Sequence, residues 1–168
     1  MNWDSIDWNN KEEVLEVVKI CGHNLYDASK RLKDDKDIVS TAVKTNGVAL
    51  RFASKRLRNN KKIVLTAIKQ NGIALCYASE RFKNDKEVVL TAVKQNERAL
   101  EYAGERLRDD EEVVREALKK NVYMMKYASE RIQNDENILE DIPKYVFADF
   151  QKYMFARTQK ERNQNEKA

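Results

Sequence analysis

The chain has 168 residues, of which 42% are apolar and 36% charged, and its formal net charge at neutral pH is only +4. This length suits one domain with its own core, and a composition with four glycines and one proline favours helix over strand. We find no run approaching the roughly 20 apolar residues that cross a bilayer and no secretion signal, so we expect a cytoplasmic protein without a membrane segment.

The first nine residues form the first predicted element. Trp3, Ile6 and Trp8 are bulky apolar side chains placed just before a series of repeats. A terminal repeat has one face without a neighbour and needs a cover. We therefore predict an N-terminal cap segment over residues 1–9.

From residue 10 to residue 142 the sequence repeats with a period of 25 residues. We number the first five repeats one to five; the units begin at Asn10, Asp35, Asn60, Asp85 and Asp110, and a partial sixth begins at Asp135. The sixteenth position of each repeat is a large apolar residue, namely Leu25, Leu50, Leu75, Leu100 and Met125. Apolar positions within a unit fall into two helical stripes with a break between them. The pattern predicts a hairpin with helices near positions 2–12 and 14–24, and hence an all-α fold, an α-solenoid of stacked hairpins.

Helix ends are also indicated. Asn-Gly pairs, such as Asn46-Gly47, stand between the two predicted helices, and glycine there is typical of a left-handed helix stop. In repeats four and five the glycine is replaced by Glu97 and Val122, so the turn there uses the preceding asparagine or has another shape. Asp85 is a predicted helix cap, and Glu87 has the spacing of a capping box.

Two elements are predicted after the repeats. Pro143 suits the first turn of a helix, and an apolar stripe follows at helical spacing, formed by Val146, Phe150, Tyr153 and Met154. We predict a C-terminal capping helix over residues 143–157. Residues 158–168 carry no such stripe and are predicted to be a fraying polar tail.

The recurring frame Asp, charged residue, Val-Val or Ile-Val, Ala-Val-Lys, Asn-Gly, Ala-Leu, Tyr-Ala-Ser-Glu-Arg-Leu resembles the tandem-repeat family called domain of unknown function 4116. The resemblance covers about residues 10–142. Because the function of that family is uncharacterised, the resemblance implies the repeat architecture and no catalytic residue.

The polar residues that recur do not form a catalytic pattern. Serine recurs at position 20, but a nucleophile needs a base and His23 is the only histidine, so we expect helix surface or packing. The arginine at position 22 is expected to lie over a tyrosine ring or to reach a neighbouring carbonyl or carboxylate. Adjacent acids such as Asp34 and Asp35 are interpreted as helix caps rather than metal ligands. We predict no enzyme activity, no cofactor and no metal site.

Two cysteines are present, Cys21 and Cys76, without a CxxC motif or a cluster with histidine. They indicate neither a disulfide framework nor a zinc site. Both are expected to be reduced, buried or half-buried thiols.

Charge varies along the repeats. Residues 35–59 hold six cations and two acids, and residues 60–84 hold five cations and one acid. Position 21 changes from Lys30 and Lys55 to glutamate in the later repeats. The candidate binding surface in repeats two and three consists of Lys36, Lys44, Arg51, Lys55, Arg56, Arg58, Lys61, Lys62 and Lys69.

Three functions remain open at this stage. The first is a non-catalytic scaffold that mediates protein-protein interaction, because solenoid faces serve binding. The second is nucleic-acid binding along the nine cations, whose affinity would fall steeply with salt. The third is an inhibitor or effector that acts by binding a target protein. The sequence names neither the partner nor the oligomeric state, for which a monomer is the default.

Overall fold

The computed structural model describes residues 5–140 and residue 152. Over this part of the chain the protein is helical, with no β-strand. The α-helices in chain order are α1 (Lys11–Ile20), α2 (Lys36–Thr45), α3 (Lys55–Arg58), α4 (Lys61–Gln70), α5 (Glu80–Lys83), α6 (Lys86–Gln95), α7 (Glu105–Arg108), α8 (Glu111–Leu118), α9 (Glu130–Gln133) and α10 (Glu136–Leu139). Segments of 3-10 helix lie between them, at Gly22–Tyr26, Leu32–Asp34, Gly47–Phe52, Gly72–Tyr77, Glu97–Tyr102 and Val122–Tyr127. The predicted all-α solenoid is confirmed.

The long helix of each repeat begins where the sequence predicts. Its N-cap is the first residue of the unit, and the Asp85 side chain, for example, accepts hydrogen bonds from the backbone of Glu87 and Val88. The prediction of a capping box is wrong, because the Glu87 carboxylate forms an ion pair with Lys61 of the preceding repeat, at 2.8 Å. The side chain of the first residue therefore caps its own helix, whereas the acid at position three links neighbouring repeats.

The predicted second helix is wrong in form. In place of one helix over positions 14–24, each of repeats two to five has a 3-10 helix, an extended Ala-Ser or Ala-Gly step and a four-residue α-helix. At the step in repeat two, Ala53 has φ −67° and ψ 153°, and Ser54 is the N-cap of α3, accepting a hydrogen bond from the Leu57 backbone. The backbone N–H of Ser54 donates to Lys33 of the preceding repeat. This tie between repeats replaces the hydrogen bond that a continuous helix would make.

The predicted left-handed glycine stop is also wrong. No residue of the described part has a positive φ, and Asn46 before Gly47 is extended, with φ −146°. Gly47 is buried against the next repeat, where a Cβ would lie 2.3 Å from the Ala67 carbonyl oxygen. Glycine is needed here because two backbones approach closely, not because of the backbone conformation.

The core runs through all the repeats as one cluster. The five residues of the sixteenth position, one from each repeat, are fully buried, as the periodicity predicts. The long helices supply a second row, with Val39, Val64, Val89 and Val114 equally buried. Because each α-helix is about one to three turns long, its stability comes from this contact with neighbouring repeats.

The N-terminal segment takes the place of a preceding repeat. Trp8 packs against the core, Ile6 is half-buried, and the Trp8 carbonyl accepts a hydrogen bond from the Ser29 backbone. Lys33 makes the same contact with Ser54 one repeat later. Trp3 lies outside the described residues, as do the predicted capping helix over 143–157, with Pro143 and its apolar stripe, and the polar tail over 158–168.

Candidate binding groove

The arginine at position 22 ties neighbouring repeats together. Its guanidinium donates to the carbonyl oxygen of the last residue of the preceding repeat, as in Arg56 to Asp34 and Arg81 to Asn59, both at 2.7 Å. Arg106 and Arg131 repeat the contact. The expected contact with a neighbouring carbonyl is confirmed; the ring that Arg81 covers belongs to Phe82, at 4.5 Å, rather than to the tyrosine four residues earlier.

Serine at position 20 makes the second tie, where we had expected helix surface or packing. Ser54 donates to the Asp34 carboxylate, and Ser129 donates to Asp109. These serine hydrogen bonds, together with the position-22 arginines, lower the pKa values of Asp34 and Asp109. For Ser79 of repeat three, the acceptor is Asn59, the last residue of repeat two, whose side-chain oxygen accepts the hydrogen bond at 2.8 Å. The hydrogen bond is thus kept while the negative charge is lost.

A ladder of lysines joins the starts of the long helices. Lys11 contacts Asp35 and Asp37, and Lys86 contacts Asp110 and Glu112, at 2.8 to 3.0 Å. The hydrogen bonds that these lysines donate to the carboxylates raise the pKa values of both lysines. The ladder is interrupted at Lys36, because the next repeat offers Asn60 and Lys62 at the matching positions.

A groove opens between repeats two and three. Its volume is about 630 Å³. We call it the basic groove; its lining consists of Lys55, Arg58, Asn59, Cys76, Tyr77, Ala78, Ser79, Glu80, Arg81 and Lys83. The last turn of repeat two forms one wall, and the 3-10 helix and α5 of repeat three form the other. The Ala-Ser step shapes it, since this bend lets α5 turn away from the preceding 3-10 helix.

Four cations and one acid line the basic groove, and three of the cations have no carboxylate partner. Lys55 and Arg58 form no ion pair with a described residue, and the buried Nε of Arg58 has no hydrogen-bond acceptor there. Arg81 donates to the backbone carbonyl of Asn59, which has no carboxylate with which to pair it. Lys83 pairs with Glu80 at 2.8 Å. The groove therefore carries uncompensated positive charge.

An aromatic surface borders the groove. The Arg51 guanidinium lies 5.0 Å from the Phe52 ring and 5.8 Å from the Tyr77 ring, both rings being half-buried. Such stacking holds a cation beside apolar surface without a carboxylate. The groove and its border thus offer positive charge together with a hydrophobic wall.

The structure divides the nine candidate cations among separate places. Lys36, Lys61 and Lys62 lie at the starts of α2 and α4, while Lys44 and Lys69 lie in the last turns of these helices, about 12 Å further along each axis. Lys61 is paired with Asp85 and Glu87, and Arg56 with Asp34. The basic groove brings together Lys55 and Arg58, with Arg51 at its border.

Sequence reasoning missed Arg81 and Lys83 as members of this site. The available signal was the column at position 24, where Lys33, Arg58 and Lys83 succeed one another. Arg81 was interpreted only as a scaffold residue, a role that it also has. Of the cysteines, Cys76 is half-buried in the groove as expected, whereas Cys21 is exposed, contrary to expectation.

The fold and groove define a class of protein, an α-solenoid of 25-residue helical repeats whose inter-repeat surfaces differ in charge. Among the described residues, no helix is long and apolar enough to cross a membrane. The family model described as a domain of unknown function (DUF4116) matches residues 10–58, 35–83, 60–108, 85–133 and 110–142. The chain belongs to this family. Comparison with curated proteins gives no match, and neither does comparison with solved structures.

Proposed function

We propose that the chain is a non-catalytic scaffold that binds another protein through the basic groove. The observation that carries the proposal is the groove itself, which is open, has a volume of about 630 Å³ and is lined by four cations, three of them without a carboxylate partner. The recurring serines, arginines and caps are engaged in contacts between repeats. Residues that vary between repeats, above all those at position 21, are exposed and free to determine a partner.

A comparison of two charge variants tests this proposal. Lys55→Glu alters the groove, and Lys62→Glu makes the same charge change at the start of α4. Crosslinking and affinity purification would identify a partner, and direct binding would then be measured with purified proteins. We expect the wild type and Lys62→Glu to bind and Lys55→Glu to bind more weakly. Equal binding by all three, or a wild type that binds no purified protein and instead turns over a substrate, would contradict the proposal.

Nucleic-acid binding is the second candidate, and the cations of the groove beside Tyr77 are the observation that favours it. Phosphate binding by several cations falls steeply with salt. The dispersal of the nine candidate cations and the ion pairs of Arg56 and Lys61 favour the protein ligand instead. A gel shift with RNA and DNA at low salt tests this candidate, which predicts retardation at micromolar protein that is lost at higher salt.

The proposal keeps two expectations from the sequence, a cytoplasmic location and a monomer. The free thiols of Cys21 and Cys76 are compatible with a reducing compartment. An inhibitor or effector role would be a special case of the same binding, to be judged from the identity of the partner.

A further inference from the structure

We propose that the basic groove binds an acidic peptide segment of a partner protein, in which consecutive carboxylates face Lys55, Arg58 and Arg81. This inference rests on the proposed function and adds the chemistry of the ligand. It follows from a comparison of the groove with the corresponding surfaces of the later repeats, which have the same succession of helical elements.

The groove differs in charge from the corresponding surfaces that follow it in the chain. At the corresponding positions between repeats three and four, three cations, Lys83, Arg106 and Arg108, stand with three acids, Glu80, Glu101 and Glu105. Between repeats four and five, the cations Arg108, Lys126 and Arg131 stand with the acids Glu105, Asp109 and Glu130. The groove between repeats two and three, with four cations and one acid, has instead an excess of three positive charges.

Replacements at three positions create this excess. Lys55 stands where Glu80, Glu105 and Glu130 stand in later repeats. Cys76 stands where repeat four has Glu101. Asn59 stands where repeats one and four have Asp34 and Asp109, each of which pairs with a position-22 arginine, at 2.9 Å in the case of Asp109 and Arg131. None of the three changes is required by the scaffold, because the other repeats form the same ties with other residues there.

The cations are also held in place before any ligand arrives. Arg81 is fixed by its bond to the Asn59 carbonyl and by stacking on Phe82, and Arg58 is half-buried. A cation that is already ordered loses little conformational entropy on binding. The guanidinium groups offer paired donors of the geometry that carboxylates accept.

Positive charge continues towards the N-terminus. Repeat one carries Lys30 and Lys33 at the positions of Lys55 and Arg58. Two steps between repeats span about 20 Å at the usual packing distance of helices, and an extended chain covers this length with about six residues. We call the surface from Lys30 and Lys33 to the basic groove the basic strip; an acidic run of about six residues matches its length. Glu101 and Glu105 limit the basic strip on its C-terminal side.

This limit favours a peptide over a nucleic acid. A duplex places a negative charge about every 1.7 Å along its axis, so phosphates would also approach Glu101 and Glu105, beyond the groove. A short peptide can place its carboxylates within the basic strip alone. The apolar border at Phe52 and Tyr77 suits the flanking side chains of such a peptide.

The test uses the full chain and a fluorescein-labelled peptide with six consecutive glutamates, followed by fluorescence anisotropy at about 0.1 M salt. We expect the wild type to bind this peptide and not its glutamine counterpart. Lys55→Glu, which installs the residue found at this position in three other repeats, should weaken binding about tenfold. Arg58→Gln should weaken binding too, because it removes a cation from the groove, and the fold accepts glutamine at this position, as Gln133 shows in repeat five. Lys62→Glu should stay within about twofold of the wild type.

Several results would overturn the inference. One is absence of peptide binding by the wild type; if the partner from the affinity purification still binds directly, the scaffold function stands and only the acidic ligand is wrong. Another is equal weakening by Lys55→Glu and Lys62→Glu together with tighter binding of a 12-nucleotide oligouridine, which would indicate a nucleic-acid surface. A third is a dimer in ultracentrifugation that Lys55→Glu dissociates, which would identify a second copy as the occupant.

Discussion

The basic groove and the corresponding surface between repeats four and five use the same backbone ties and differ in charge. In both, a serine at position 20 donates to the last residue of the preceding repeat and an arginine at position 22 donates to its carbonyl. The acceptor side chain is Asn59 in the groove and Asp109 in the other surface. The hydrogen bond sustains the fold and tolerates either residue, so the repeat can change the charge of its surface without losing a contact.

The first prediction concerns what the two regions share. Leu75→Ala and Leu100→Ala remove fully buried side chains from the same core column in adjacent repeats. Each should lower the free energy of unfolding by about 2–5 kcal/mol, because a cavity is left in packed surroundings. Urea unfolding of the two variants gives the measurement. A cost below about 1 kcal/mol in either repeat would show that the column is not a common core.

The second prediction separates repeats that need glycine from those that do not. A Cβ on Gly72 would lie 2.4 Å from the Ala92 carbonyl oxygen. Gly72→Ala should therefore destabilise the fold by about 1–3 kcal/mol, the usual cost of overpacking. Repeat four accepts Glu97 at the same position, so Glu97→Ala serves as the matched control and should be near neutral. The measurement is the thermal unfolding midpoint of each variant. A midpoint of Gly72→Ala equal to that of the wild type would contradict the close approach of the two backbones.

The third prediction uses pH to distinguish Asp109 from Asn59. The Ser129 hydrogen bond and Arg131 hold the pKa of Asp109 below its usual value, so its ionised form stabilises the folded state. That contribution is complete above the unfolded pKa, near 4, and disappears as the pH falls through the lower folded pKa. Asp109→Asn should reduce the difference between urea midpoints measured at pH 7 and at acid pH. Asp34→Asn should do the same, since Asp34 has the equivalent partners, Ser54 and Arg56. If the difference between the two urea midpoints is unchanged in both variants, the role of these contacts is refuted.

The smallest predicted effect is at the interruption of the lysine ladder. Lys62→Glu would give Lys36 the acid that the other ladder lysines have, and an exposed ion pair contributes about 0.2–1 kcal/mol. We expect a slight rise in the urea midpoint at low salt that fades at about 1 M salt. The double variant Lys36→Gln/Lys62→Glu provides the control, since it lacks the new pair. A rise of the same size in this control would assign the effect to general charge reduction.

The period of 25 residues predicted the scaffold well because each repeat must bury the same side chains against the next. The core column and the caps at the first position of each unit follow from that pattern. The break in the second helix did not, because apolar residues at positions 15, 16, 18 and 19 fit the three-residue turn of a 3-10 helix as well as an α-helix. The glycine was misinterpreted because turn rules describe the local chain, whereas Gly47 is selected by the backbone of the following repeat.

The groove was only partly accessible from the sequence. The basic charge of repeats two and three was visible, and Lys55 and Arg58 were among the nine candidate residues. Counting charge could not show that Arg56 and Lys61 are neutralised by acids 22 to 26 residues away. Nor could it show that Arg81 and Lys83 line the same groove as Lys55, since this depends on the bend at Ala78 and Ser79.

The central claim is that all repeats share one scaffold and that the residues that vary between them determine binding. Its most direct test is to install the charges of the basic groove on another pair of repeats. The variant Glu105→Lys/Asp109→Asn gives the surface between repeats four and five the same numbers of cations and acids as the basic groove. Titration calorimetry with the six-glutamate peptide should change from one bound peptide per chain in the wild type to two in this variant. A correctly folded variant that still binds one peptide would contradict the account.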